Sequence, residues 1–285
     1  MTVWCVGSIN VDHVYAVPHL VRPGETLAAD ERVTMLGGKG ANQSVAAAQL
    51  GAPVRHVGAV GPDGDAILAE LAGYGVDVAR VARAPAATGH AIVQVDAGGE
   101  NAILLHAGAN ADVADHVADG LAGIARGDVL LLQNETSGNA QAARLARAAG
   151  ARVLYSAAPF DAGAARDMLP AIDLLLLNEG EAADLAGALG DVALPDRIVT
   201  RGARGAIWHR GDAPPIDLPA HPVARVVDTT GAGDCFAGAL AAGLDGGAPP
   251  PAAMQQAIVA AGLQVMRKGT AQAMPTRAEV EAASA

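Results

Sequence analysis

Short aliphatic runs recur along this chain, and most are followed by a stretch with the composition of a helix. Val3 to Ile9, Val54 to Val60, Asp128 to Leu132, Arg152 to Ser156 and Asp173 to Leu177 are rich in Val and Leu, the pattern of strands covered on both faces. Ala41 to Leu50, Asn139 to Ala149 and Glu179 to Leu189 are helix-forming, and Gly51 is placed to end the first of them. The turn Gly61 to Asp65 supplies an N-cap for a further helix through Leu71, closed by Gly73 and Gly75. Alternation of this kind points to an α/β fold, a mostly parallel central sheet flanked by helices.

Two stretches break the rhythm. Tyr15 to Leu36 carries Pro18, Pro23 and Gly24 between short alternating runs, and His90 to Asp96 pairs naturally with Ala102 to His106 across the turn AGGEN. They predict a small inserted antiparallel β lid, with strands within 13–36 and 88–107, above the carboxyl ends of the parallel strands where open α/β sheets place their ligands. No internal repeat or linker divides residues 1–285, so one α/β domain is expected.

Composition narrows the function. Hydrophobic residues make up 51% of the chain, which requires a packed core, yet it holds only two Trp, three Tyr and two Phe. With 30 acidic against 19 basic residues and a formal charge of −11, the surface repels a phosphate backbone, and few aromatic platforms exist for stacking bases or sugars. A nucleic acid polymer is therefore not an expected partner. Neither is a membrane: no apolar stretch approaches the roughly 18 residues of a span, and MTVWCVGSIN has no basic segment before its apolar run. Cys5 and Cys235 lack CxxC or metal-ligand spacing, which fits buried thiols in a reducing, cytoplasmic setting.

The stretch Asp228-Thr229-Thr230-Gly231-Ala232-Gly233-Asp234 precedes an apolar helix-forming segment. Gly231 and Gly233 let the backbone approach a ligand, and free N–H groups at the helix start favour an anion such as phosphate. Local sequence leaves two readings of Asp234 open: a helix cap, or a base that removes a proton from an attacking hydroxyl. Gly37-Gly38-Lys39-Gly40 is not a phosphate-binding P-loop, because Gly40 stands where Ser or Thr is required, and the dinucleotide fingerprint fails at Phe236. Taken alone, such a turn is ordinary punctuation before a helix. The eight histidines show no paired metal-ligand spacing, and Arg201 and Arg204 either touch phosphates or face water.

The joint occurrence, in order, of GSINVD from Gly7, GGKGANQ from Gly37, Asn178-Glu179-Gly180-Glu181, Thr200-Arg201-Gly202-Ala203-Arg204-Gly205 and DTTGAGD from Asp228 resembles the ribokinase branch of the ribokinase-like carbohydrate kinases over nearly the whole chain. The lid segments Thr88 to His90, Gly98 to Asn101 and Gly108 to Asn110 resemble it too. The resemblance implies ATP-dependent phosphorylation of D-ribose at its 5-hydroxyl, with Asp234 as base and Gly231, Ala232 and Gly233 as anion hole. It assigns Asn10, Asp12, Gly38, Lys39, Asn42 and Glu135 to the sugar, and Asn178, Thr200, Gly202, Gly205 and Gly233 to the nucleotide. Glu181 would help hold Mg²⁺ through water. Asp228, Thr230 and Gly269 would hold an activating K⁺, although Ala273 stands where the family commonly has Ser. Ala257 stands where relatives often have Asn near the adenine. A homodimer through the lid is the implied assembly. The alternatives are a family member acting on a nucleoside, fructose, deoxyribose or a sugar acid, and a non-catalytic sugar sensor; a sensor has no need of Asp234.

Overall fold

The computed structural model describes residues 1–190 and 193–284. In chain order the elements are β1 (Val3–Val6), β2 (Asn10–Val17), β3 (Glu31–Gly37), α1 (Lys39–Gln49), β4 (Val54–Val60), α2 (Asp65–Gly73), β5 (Val76–Arg83), β6 (Gly89–Asp96), β7 (Asn101–His106) and α3 (Val117–Gly120). There follow β8 (Val129–Gln133), α4 (Asn139–Ala149), β9 (Arg152–Ser156), α5 (Ala162–Met168), β10 (Leu174–Asn178), α6 (Glu179–Leu189), β11 (Asp196–Thr200), β12 (Ala206–Arg210) and β13 (Ala213–Leu218). The chain ends with α7 (Ala232–Asp245), α8 (Pro250–Gln264) and α9 (Arg277–Ser284).

The main sheet runs β13-β12-β11-β10-β9-β8-β1-β4-β5. It is parallel from β5 to β11 and antiparallel only at β12 and β13. Its strands are apolar throughout because helices cover both faces, and successive residues feed opposite cores. Val3, Cys5, Leu131, Leu174 and Leu176 pack with α1, α7 and α8, while Trp4, Leu130, Leu132, Leu175 and Leu177 pack with α4, α5 and α6.

The second sheet is β3-β2-β6-β7. Its outer pairs are antiparallel, as expected, but the central pair β2·β6 is parallel, with Asn10 opposite Gly89 and Asp12 opposite Ala91. This sheet begins earlier than the sequence suggests. β1 stops at Val6 instead of Ile9, and Asn10 and Asp12 lie at the start of β2. The turn Gly61 to Asp65 supplies the N-cap of α2 through Gly64, without a side-chain hydrogen bond, and Asp63 accepts hydrogen bonds from Thr88 N (2.8 Å) and Oγ1 (2.7 Å), tying the turn to the start of β6. No described helix is long and apolar enough to cross a membrane.

Candidate active site

The carboxyl ends of β9, β10 and β11 converge with the first turns of α1 and α7. Gly231, in the left-handed region (φ 81°), is the N-cap of α7, so Asp234 falls in its first turn. Asp234 makes no capping bond. Its Oδ1 accepts from Gln43 Nε2 at 3.0 Å and its Oδ2 from Asn42 Nδ2 at 3.3 Å, and the residue is buried. Gln43 is held in turn by Gln133, whose Nε2 donates to Gln43 Oε1 at 2.7 Å. The cap reading of Asp234 is thereby excluded: neutral amides orient a buried carboxylate without neutralising it.

These amides reach Asp234 because α1 and α7 approach closely. A Cβ on Gly238, one turn beyond Asp234, would lie 2.3 Å from the Gln43 carbonyl oxygen and 2.7 Å from Ala46 Cβ. Only glycine permits that spacing.

At the other end of this cluster, Gly38 (φ 91°) turns the chain from β3 into α1. Glu135 Oε2 accepts from Lys39 N (3.0 Å) and from Ser8 Oγ (2.5 Å), joining the β8 end to both glycine-bearing turns. Asn10 Oδ1 accepts from Asn110 Nδ2 at 2.7 Å. Asp12 Oδ1 and Asn42 Oδ1 are buried and have no hydrogen-bond partner among the described residues. Burial, and then the Glu135 carboxylate, push the Asp12 pKa up to about 7. The Lys39 ammonium is held in its charged form chiefly by Asp234, against the cost of burial, with Glu135 and Glu181 adding to the effect.

Asn178 and Glu181 form a reciprocal capping box on α6: Asn178 Oδ1 accepts from Glu181 N (2.9 Å) and Glu181 Oε2 accepts from Asn178 N (2.8 Å). Both also line a cavity of about 170 Å³ with Lys39, Thr200, Gly231 and Asp234. A second cavity of about 280 Å³ shares Thr200, Gly233 and Phe236 with the first, so the two form one cleft. Its walls are small and apolar, among them Gly202, Gly205, Ala206, Val223 and Ile258. Ala232 donates its N–H to Thr229 O at 3.2 Å, while Gly231 and Gly233 line the smaller cavity.

Among the described residues no group of three or more His, Cys, Asp or Glu could hold a metal ion. The donor set suits a Mg²⁺ carried mainly by phosphate oxygens and water, with the half-buried Glu181 beside it. A monovalent cation does not fit. Asp228 Oδ1 accepts from Thr230 N (2.9 Å) and Oδ2 from Gly269 N (3.0 Å), while the Thr230 and Gly269 carbonyls both accept from Gln264 Nε2, at 2.8 and 2.9 Å. The three expected cation ligands are brought together, but a side-chain amide already stands between the carbonyls. Ala273 is buried nearby in the Thr270–Met274 turn.

The pattern of the pfkB family carbohydrate kinases matches residues 2–277. The chain belongs to this family. The ribokinase of Haemophilus influenzae is 35% identical to this kinase, with 98% of this chain and 96% of the relative aligned. The deoxyribokinase of Salmonella typhi is 31% identical over 97% and 96%. The structure of Arabidopsis thaliana ribokinase complexed with ribose and ATP superposes with a TM-score of 0.87 at 31% identity, covering 99% of this chain and 98% of that one.

Several residues of the kinase's cleft were not evident in its sequence. Gln43, Gln133, Ser8 and Asn110 support the assigned ligands, and His221, Val223 and Val226 come from a stretch with no helix or strand pattern. Gln43 lies inside GGKGANQ, Ser8 inside GSINVD and Asn110 at the end of the segment from Gly108, so each stood within a quoted motif without a role of its own. Ala257, expected near the adenine, is buried in the core, and the neighbouring Ile258 lines the cleft instead. Arg201 pairs with Asp217 and Arg204 with Glu179. Cys5 and Cys235 are unpaired and buried; burial raises the Cys5 pKa to about 11 and that of Cys235 further. Neither is a nucleophile.

Proposed function

We propose that this kinase transfers the γ-phosphoryl group of ATP to the 5-hydroxyl of D-ribose. The observation that carries the proposal is the pair of buried, unpartnered oxygens on Asp12 and on Asn42, whose amide nitrogen is hydrogen-bonded to Asp234. Unsatisfied buried acceptors are costly, and the hydroxyls of a small sugar supply the missing donors. Asn10, Gly38, Lys39 and Glu135 complete that pocket. Asp234 accepts the proton of the attacking hydroxyl as the new O–P bond forms and ADP leaves with the other oxygen of the broken P–O bond. The Gly231 and Gly233 amides and the N-terminus of α7 stabilise charge on the phosphoryl group in flight, and Lys39 adds a fixed positive charge. When bound, Mg²⁺ offsets the phosphate charges and orients them for in-line attack. The larger cavity takes the adenosine, bordered by Thr200, Gly202 and Gly205, and the β3-β2-β6-β7 sheet closes over the sugar as a lid.

The reading favours ribose because the ribokinase relative is more similar than the deoxyribokinase, 35% against 31% identity. A panel of ribose, deoxyribose, fructose, nucleosides and sugar acids in an ATP-turnover assay tests it. Ribose is expected to give the highest kcat/KM, and another acceptor preferred by ~100-fold would overturn the assignment. The same reading has the enzyme working in the cytoplasm as a dimer that covers the outer strand β7, where Ile103, Leu104 and Leu105 are exposed. A light-scattering mass near that of the 28.3 kDa monomer would contradict the dimer.

A further inference from the structure

Gln264, the last residue of α8, is fully buried, and its Nε2 donates to the carbonyls of two separate loops, Thr230 O at 2.8 Å and Gly269 O at 2.9 Å. Asp228 crosses the same gap in the opposite sense, its carboxylate accepting from the amides of Thr230 and Gly269. Two protein groups of opposite polarity therefore staple the loop that leads into α7 to the loop that follows α8.

We infer that Gln264 is a positioning residue that makes this anion hole independent of a monovalent cation. The peptide between Thr230 and Gly231 is planar and trans, so its C=O and N–H point in opposite directions. Drawing the Thr230 carbonyl onto Gln264 turns the Gly231 N–H the other way, toward the cleft that Gly231 lines. A cation between the two carbonyls would perform the same alignment. Here the amide hydrogens point into that space, and they repel a cation. The Gln264 Oε1 is buried without a partner, so the clamp is achieved at the cost of one unsatisfied acceptor. Rotating the amide would gather three oxygens at one point, an arrangement stable only around a cation; the cation dependence of the wild-type enzyme therefore decides between the two.

The inference rests on the kinase reading, and the test separates the two. The full-length enzyme is assayed with saturating ATP, Mg²⁺ and ribose in potassium chloride and in tetramethylammonium chloride at equal ionic strength. Wild-type rates are expected to agree within about twofold. Gln264→Ala is expected to lose about 10- to 100-fold in kcat in the tetramethylammonium salt with little change in the ribose KM, and to recover at least about fivefold with potassium, which now has room. Gln264→Met, which fills the space without donors, loses a similar factor and is not rescued. A wild-type enzyme stimulated about tenfold by potassium, or a Gln264→Ala enzyme at full rate without it, overturns the inference. Thermal melting of the wild-type protein with ADP provides a second readout: equal midpoints in the two salts are expected, and a potassium-specific rise counts against the clamp. If no acceptor is phosphorylated, the kinase reading fails, while the melting comparison still tests the clamp.

Discussion

The acceptor half of the cleft is lined by buried polar side chains that hold one another in place, whereas the nucleotide half is lined by glycine, alanine, valine and isoleucine and takes its polarity from the backbone. In the first half, Gln133, Gln43 and Asn42 fix Asp234, and Glu135 fixes Ser8 and Lys39. In the second, the aliphatic walls offer area and few directional contacts. The contrast predicts where specificity and rate reside. A site whose buried acceptors need particular hydroxyls discriminates strongly, because a wrong ligand leaves them unpaired; an apolar pocket discriminates by size alone. In the proposed mechanism a chain with a formal charge of −11 meets a polyphosphate through helix-end amides and Lys39, with metal supplying the balance.

The strongest way to break the comparison is Asp234→Asn. Its kcat is expected to fall about 10²–10⁴-fold while ribose binding, measured by calorimetry, is largely kept. Near-normal turnover would remove the base from the acceptor half.

Asp12→Asn comes next, with kcat/KM for ribose falling about 10- to 100-fold. This variant also carries the pH dependence. The Asp12 pKa is raised from 3.8 to about 7, so the free enzyme holds a largely neutral Asp12 below that pH, while sugar hydroxyls bind best to the carboxylate. Wild-type kcat/KM should therefore decline as pH drops through 7, with proton uptake competing against sugar, and the Asn variant should lose that component of the profile. Stability runs the other way. Because the folded-state pKa is the higher one, the contribution of Asp12 to folding is fully present below about pH 4 and is lost as pH rises toward 7. Melting curves should show Asp12→Asn gaining more over wild type at pH 8 than at pH 5; no difference would mean that the carboxylate is not desolvated.

Gly238→Ala sharpens the comparison from below the site. The added methyl has no room between α7 and α1, so overpacking of about 1–3 kcal/mol should lower the melting temperature, and kcat should fall about tenfold as Asn42 and Gln43 shift from Asp234. The smallest effect is expected in the nucleotide half. Ile258→Val removes one methylene from its wall and should raise the ATP KM about fourfold with kcat unchanged, the signature of uniform binding. A kcat loss there as large as at Asp12 would mean that both halves act on the transition state.

The parallel sheet was legible because β-strands covered on both faces must be apolar throughout, and Val54–Val60, Asn139–Ala149 and Glu179–Leu189 follow the expected limits residue for residue. The glycine-bearing turns and Asp234 were legible because backbone approach and charge leave a local signature. What sequence left hidden depends on contacts between distant segments. The parallel pairing of β2 with β6 joins residues some eighty apart, roughly the separation at which no local pattern survives. Gln133 looks like an ordinary polar residue until the fold sets it against Gln43, and the role of Asn110 shows only when it meets Asn10. Asn178 and Glu181 read as nucleotide-side residues and are also a capping box, so one short motif serves the helix and the cleft together. The cation site illustrates the limit most clearly: Asp228, Thr230 and Gly269 matched the expected pattern, but Gln264, far from DTTGAGD in sequence, decides what occupies the space between them.

In the proposed mechanism Asp234 delivers the 5-hydroxyl of ribose to ATP. This step is tested most directly by phosphorus-31 and carbon-13 NMR of the product formed from ribose, ATP and Mg²⁺. A single monophosphate is expected, its phosphorus coupled to the two C5 protons, formed together with ADP and reduced to trace amounts by Asp234→Asn. Phosphate on the anomeric carbon, or ATP consumption without any sugar phosphate, would contradict it.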